Sequence, residues 1–293
     1  MLINEVSKAT GLSKKAIEYY TEQGLIVPDV LENGYREFGL HDVERLNKIS
    51  VLRKLGIGVN EIKVVLDDET GESLRKLSFQ KELGLQTQQA KLSMLKKLSS
   101  GSSYFAISDE LQSIEDSATI TEKILGAFPG YYGRFICLHF ARFLNNPIVT
   151  QKQKSAYDKI ISFLDNAPSL TLPEDLKEYL IDNTKHIGTE QITDMVASTK
   201  KSIEHPDEFL ATNKEVLEQY LTFKQSDEYK NSPVFQIQSL LKDFNSTCGY
   251  YDVFIPALKE LSPSYAKYYK QLEIANEKLL AEYPDIEKMY GET

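Results

Sequence analysis

Apolar residues in the first quarter of the chain change their spacing several times, and each change predicts an element. Ile3, Val6 and Ala9 share one helical face, Gly11-Leu12-Ser13 breaks it, and Ala16, Ile17 and Tyr20 begin another. Ser13 is placed to cap that second helix and Gly24 to end it. The period then shortens. Leu25-Ile26-Val27 and Tyr35-Arg36-Glu37-Phe38 read as short strands, and Asn33-Gly34 between them supplies the positive φ that a tight hairpin needs. Val43, Leu46, Ile49 and Leu52 return to helical spacing up to Gly56, and Val59, Ile62 and Leu66 follow. Helix, turn, helix, β-wing and two further helices are predicted within about seventy residues.

From Glu72 to Leu98 there is no proline, and Leu74, Leu77, Leu85, Leu92, Leu95 and Leu98 mostly combine into heptad intervals, interrupted at Lys81 and Gln88. The spacing predicts one long helix with two possible partners. One is the same helix of a second copy, through Leu74, Leu77, Leu85, Leu92 and Leu95; the other is the chain's own C-terminal part. Ser99-Ser100-Gly101-Ser102-Ser103 reads as a flexible joint. Beyond it the pattern is helical almost throughout, with segments such as Ile114 to Leu125, Phe135 to Leu144, Ala156 to Leu164, Val234 to Phe244 and Tyr265 to Glu282 separated by prolines and polar breaks. The fold class is therefore mainly α, in three segments: 1–70, 71–103 and 104–293.

Composition narrows the picture. In 293 residues, 41% are apolar and 26% charged, which excludes a disordered or fibrous chain. The net charge of -9 gives no support for polyanion binding by the chain as a whole. Residues 1–66, however, carry nine basic and nine acidic side chains, so the acidic excess lies elsewhere. Cys137 and Cys248 are too few and too far apart for a disulfide framework or a four-cysteine zinc site, and a reducing cytoplasm fits them. The N-terminus lacks the basic and apolar regions of a secretory signal, and no uncharged apolar run approaches membrane-spanning length, so neither export nor membrane insertion is expected.

A helix-turn-helix followed by a wing suits duplex DNA, with the second helix in the major groove and the hairpin over phosphates. The candidate contacts are Ser13, Lys14, Lys15, Glu18, Tyr19 and Tyr20 on the helix, and Tyr35 and Arg36 on the wing. These residues lie within an ordered series. It runs through Glu5-Val6-Ser7-Lys8-Ala9-Thr10-Gly11-Leu12-Ser13, Lys15-Ala16-Ile17, Tyr19-Tyr20, Gly24-Leu25-Ile26, Gly34-Tyr35-Arg36-Glu37-Phe38, Asp42-Val43-Glu44-Arg45-Leu46 and Leu55-Gly56-Ile57. In order and spacing, the series resembles the DNA-binding domain of the MerR family of bacterial transcription regulators.

The resemblance implies a winged helix-turn-helix over 1–70, a coiled-coil dimerisation helix and linker over 71–103, and an effector-binding domain over 104–293. It implies a homodimer, joined by an antiparallel pair of long helices, on double-stranded promoter DNA. Effector binding would bend and untwist the spacer so that RNA polymerase engages both promoter elements, acting through the DNA. Two departures stand out. Glu18 occupies a position where the family usually has an arginine, and Asp29-Val30-Leu31 lack the basic side chain common after the proline. Glu18 either accepts from a cytosine amino group or pairs with Lys14 or Lys15. The cysteines that the family's metal and redox sensors place at the start of the long helix and in a loop after it have no counterpart, so no metal or cofactor is expected.

The C-terminal segment is rich in tyrosine and phenylalanine, which favours a small organic effector, lipophilic or cationic, held between rings near acids such as Asp252 and Glu260. Tyr131, Tyr132, His139, Tyr250, Tyr251 and Tyr268 are the candidates, the first two and Tyr250 and Tyr251 as loop residues. The same rings also fit an ordinary helical core. His139, between Leu138 and Phe140, reads as a core histidine, and no nucleophile elbow, phosphate cradle or metal-ligand spacing appears, so catalysis is not expected. An alternative reading is a small-molecule sequestration protein with reduced or lost DNA binding.

Overall fold

The computed structural model describes residues 1–128 and 130–286. Pro129 of the predicted aromatic segment and 287–293 of the predicted C-terminal domain lie outside the described residues. The chain divides into two compact units, Met1–Ser78 and Phe79–Thr293.

In the first unit, α1 (Ile3–Thr10) and α2 (Lys14–Glu22) flank the turn at Gly11, followed by β1 (Asp29–Val30), β2 (Arg36–Glu37), α3 (Leu40–Lys54), α4 (Val59–Asp67) and the start of α5 (Glu72–Ser99). Ser13 caps α2, its side chain accepting from the Ala16 N–H at 3.2 Å. At α3 and α4 the third-residue acids reach back instead. Asp42 accepts from the Gly39 N–H at 2.9 Å and Glu61 from the Gly58 N–H at 2.7 Å. Val6, Ile17, Leu25, Ile26, Phe38, Leu46, Ile49 and Ile62 form the core. The wing is antiparallel, with Asp29 opposite Glu37 and Val30 opposite Arg36. Gly34, at φ +82°, takes the left-handed position of its turn, and the Asn33 side chain accepts from the Tyr35 N–H at 3.1 Å.

Here the predicted first strand moves. Leu25 and Ile26 are buried in the core, and the Leu25 N–H donates to the Tyr20 carbonyl at 2.9 Å, so this stretch closes the end of α2. Pairing begins only after Pro28.

In the second unit every regular element among the described residues is helical. It comprises the rest of α5, α6 (Tyr104–Ala127), α7 (Gly130–Ala141), α8 (Gln151–Asn166), α9 (Glu174–Thr184), α10 (Thr189–Glu204), α11 (Pro206–Thr212), α12 (Lys214–Gln225), α13 (Asp227–Lys230) and α14 (Pro233–Thr247). A π-helical turn (Tyr250–Phe254), α15 (Ile255–Leu261) and α16 (Pro263–Glu282) complete it. Its core joins Phe79, Ile120, Ile124, Phe140, Ile160, Phe163, Phe254, Leu258 and Tyr265, with α15 packed along α8 and α7 along α6 and α10. Gly133 permits the close start of α7, because a Cβ there would lie 1.5 Å from the Phe128 carbonyl oxygen.

The serine-rich stretch is not a joint between domains. It is a turn between α5 and α6 inside one unit: Gly101 takes φ +98° and Ser103 caps α6 by accepting from the Ala106 N–H at 3.2 Å. Lys91 pairs with Glu115 at 2.8 Å, and Lys97 with Glu110, tying the two helices side by side.

Candidate nucleic-acid interface and effector core

On α2 the geometry separates two faces. Lys14, Lys15, Glu18 and Tyr19 are exposed, whereas Ile17 and Tyr20 are buried on the opposite side. Tyr20, 8% exposed, is therefore corrected from a groove contact to a core residue, whose ring meets Tyr19 at 5.7 Å. Ser13 is committed to its cap, which orients the first turn of α2. On the wing Tyr35 and Arg36 stand exposed. Among the described residues, Lys14, Lys15, Glu18 and Arg36 form no ion pair, so Glu18 is not held by the lysines beside it.

Two arginines of the same unit have other work. Arg45 donates to the Leu25 carbonyl at 2.6 Å and the Leu66 carbonyl at 3.3 Å and pairs with Asp67 at 2.5 Å; Arg53 donates to the Ile57 carbonyl at 2.7 Å. They hold the helices together. Sequence reading counts them with the other basic residues and has no signal for the difference, since carbonyl partners arise only from the folded backbone.

The long helix α5 has two faces. Every position of the row Leu74, Ser78, Lys81, Leu85, Gln88, Leu92, Leu95 and Ser99 is exposed, and its alternating steps of four and three residues are those of a coiled-coil seam. Leu85, Leu92 and Leu95 are 59%, 50% and 61% exposed. The other row, Phe79, Leu83, Thr87, Ala90, Met94 and Leu98, is buried or half-buried. Leu77 falls off the seam: at 5% exposed it belongs to the core of the first unit, which corrects its assignment as a dimer contact. Asp68 starts the helix, accepting from the Ser73 N–H and the Thr70 hydroxyl, each at 2.5 Å. Burial acts to raise its carboxyl, but these hydrogen bonds outweigh it and bring the pKa down to about 2.

In the second unit the effector candidates fall into two adjoining groups. Tyr132 and Tyr250 meet Phe128 edge-on at 5.8 and 6.4 Å, and Tyr251 meets Tyr250 at 5.2 Å. His139 lies 5.5 Å from Tyr268, and Tyr131 reaches His139 through Phe135. None of the predicted loop tyrosines is in a loop. Tyr131 and Tyr132 are on α7, and Tyr250 and Tyr251 form the start of the π-helical turn, which buries most of Tyr250 and leaves Tyr251 exposed. Tyr132 accepts from the Asn245 side-chain amide at 2.9 Å. Tyr268 is buried, packed against Phe143 and Tyr265. Burial raises the phenols of Tyr131, Tyr132, Tyr250 and Tyr268 and the Cys137 thiol, the thiol to about 12.

The acids expected among these rings are elsewhere. Glu260 pairs with Lys152 at 2.9 Å, and both it and Asp252 line an open cleft of about 590 Å³ with Lys152, Lys159 and Lys259. A charged group that does sit against these rings is Arg142, which sequence reading missed. Its guanidinium carbon lies 4.6 Å from the Phe143 centroid and 5.0 Å from that of Tyr268. Three residues beyond His139, it extends the Tyr131, Phe135, His139 stripe, which was the available signal. Burial and the Arg142 charge push the His139 imidazole down to about 4. Among the described residues no group of three His, Cys, Asp or Glu side chains is arranged to hold a metal, and no helix is long and apolar enough to cross a membrane.

Comparison with known proteins adds a family. Residues 1–69 match the family described as MerR HTH family regulatory protein. A probable heavy metal-dependent transcriptional regulator of Haemophilus influenzae is 34% identical over 101 residues, covering 33% of this chain and 79% of the relative. The heavy metal-dependent transcription regulator 2 of Rhizobium meliloti is 43% identical over 67 residues, covering 22% of this chain and 46% of the relative. The multidrug-efflux transporter 2 regulator of Bacillus subtilis is 32% identical over 95 residues, covering 32% and 34%. The chain spans about half the length of several of these curated relatives. No solved structure gives a significant match. With its winged helix-turn-helix, its long α5 and a Haemophilus relative aligned over most of that protein's length, the chain belongs to the MerR family of transcription regulators.

Proposed function

We propose that this chain is a one-component regulator that grips promoter DNA as a homodimer through its first unit and answers a small organic effector through its second. It acts in the cytoplasm and is not an enzyme. The observation that carries the reading is the exposed face of α2 together with the exposed wing, where Lys14, Lys15, Glu18, Tyr19, Tyr35 and Arg36 form no ion pair within the described residues. The side chains contact groove and phosphates, Arg36 positioning the protein and Glu18 discriminating bases. The exposed seam of α5 supports pairing of two copies through Leu74, Leu85, Leu92 and Leu95.

Effector binding shifts the dimer between two states, one of which bends and untwists the spacer so that RNA polymerase engages both promoter elements. The multidrug-efflux regulator among the relatives supports an organic rather than a metal effector, as does the aromatic second unit. Fluorescence anisotropy with the chain's own upstream promoter tests the reading. Sequence-specific binding is expected; Arg36→Ala weakens it for all sequences alike, and Glu18→Arg changes base preference.

A second reading, sequestration of a small molecule without promoter recognition, draws on exposed Glu18 and on the two acids facing each other in the wing. Binding at low salt with no sequence preference would select it.

A further inference from the structure

One side of α7 carries a ladder of flat rings. Tyr131, Phe135 and His139 recur every fourth residue, with centroids 6.4 Å apart at 34° and then 6.5 Å apart at 13°. All three are only half-buried. Next to the ladder, α10 supplies Met195, whose sulfur lies 3.6 Å from the Tyr131 hydroxyl, and α16 supplies Tyr268. The stripe ends at Arg142.

That arginine is incompletely satisfied. One terminal nitrogen donates to the Val196 carbonyl at 3.2 Å, the other lies 3.4 Å from His139 Nδ1, a long contact, and the Tyr268 hydroxyl accepts from the guanidinium as well. Its Nε is buried and has no hydrogen-bond partner among the described residues. The acid acting on it through space, Glu204, is itself paired with Lys200 at 3.2 Å. A guanidinium flanked by aromatic faces, with a donor unspent, is costly until an acceptor of opposite charge arrives.

We propose that the half-buried aromatic face formed by α7 with Met195 of α10 and Tyr268 of α16 binds flat aromatic anions, the ring system lying on Tyr131, Phe135 and His139 and the carboxylate accepting from Arg142. The inference rests on the effector reading above and narrows its ligand class. It reverses the cation expected from the sequence, since the charge within the rings is positive and the acids Asp252 and Glu260 face lysines. Stacking alone would accept either sign; the guanidinium makes the site selective.

Isothermal titration of the full chain with 1-naphthoate and, separately, 1-naphthylmethylammonium decides the point. Naphthoate is expected to bind about tenfold or more tightly than the ammonium compound, the scale of one charge-assisted hydrogen bond. Arg142→Gln removes that preference, while Tyr131→Ala, at the rim, weakens both probes and keeps the preference. Equal or tighter binding of the ammonium compound, no naphthoate binding at millimolar concentration, or unchanged naphthoate affinity in a folded Arg142→Gln protein overturns the proposal. The comparison of the two probes on the unaltered chain stands even where Arg142→Gln does not fold. No DNA is present, so loss of promoter recognition leaves the result intact. If naphthoate fails while a different organic compound shifts promoter binding, the anion assignment falls and the effector reading survives.

Discussion

Asp29 and Glu37 face each other directly across the two-stranded wing, one register step from the pair formed by Val30 and Arg36. Like charges in that relation repel, and both carboxylates would approach the phosphate backbone if the wing lies over it. Arg36 is thus accompanied by two acids on the element that should grip DNA.

Asp29→Lys removes the repulsion and adds a cation. Affinity for all duplex sequences should rise, and the plot of log affinity against log salt should steepen by about one, the value for one additional phosphate contact. Anisotropy titrations at several salt concentrations read both quantities. No change in slope would mean that the wing stays clear of the backbone.

The two rows of α5 predict contrasting defects. Leu92→Glu places a charge on the exposed seam and should give monomers by sedimentation while leaving helicity and thermal unfolding nearly unchanged. Leu77→Ala empties a site in the core of the first unit and should lower stability by about 2–4 kcal/mol, whatever the oligomeric state. A dimer that survives Leu92→Glu would place the contact elsewhere.

The contrast also measures what the sequence discloses. Val6, Ile17, Leu46, Ile49 and Ile62 were legible as a core because helical spacing alone puts them on inward faces. The leucines of α5 were legible as a helix but not as two rows, because Leu77 and Leu85 look alike until it is known which flank has neighbours. For α2, Tyr20 follows Tyr19 by a rotation of about 100°, which separates a buried ring from an exposed one. Aromatic clustering showed which segments of the second unit bring rings together; the position of Arg142 among the rings, and of Asp252 and Glu260 among lysines, depends on contacts between distant helices that no local pattern encodes.

Asp68 supplies a stability prediction with a defined pH range. Its carboxyl titrates near 2 in the folded protein against an ordinary value of 3.8, so folding is favoured while it is ionised. The contribution is present above pH about 4 and is lost as pH falls toward 2. Asp68→Ala also removes the acceptor for the Ser73 N–H and should cost about 1 kcal/mol at neutral pH, with fraying of the first turn of α5. Asp68→Asn, which keeps an acceptor, should cost less. Urea unfolding at pH 7 and pH 3 separates the capping and charge contributions, and equal losses in both variants at both values would contradict this account.

His139 gives the opposite case, a base held neutral. Burial and the neighbouring Arg142 charge keep the imidazole unprotonated down to pH about 4, whereas in the unfolded chain it protonates near 6.5. Between those values the unfolded state binds more protons, so stability falls as pH drops from about 6.5 to about 4, by on the order of 3 kcal/mol once the difference is fully developed. His139→Phe keeps a flat ring against Phe135 and Tyr268 but removes the titration. The variant should therefore lose less stability than the unaltered chain between pH 7 and pH 4.5, as read from urea midpoints for unfolding of the second unit. The same substitution removes the nitrogen that Arg142 approaches at 3.4 Å, leaving the guanidinium with one fewer acceptor. If this aromatic face takes anions, 1-naphthoate should protect the His139→Phe protein against unfolding at least as strongly as it protects the original; a loss of that protection would assign the imidazole, not the guanidinium, to the ligand.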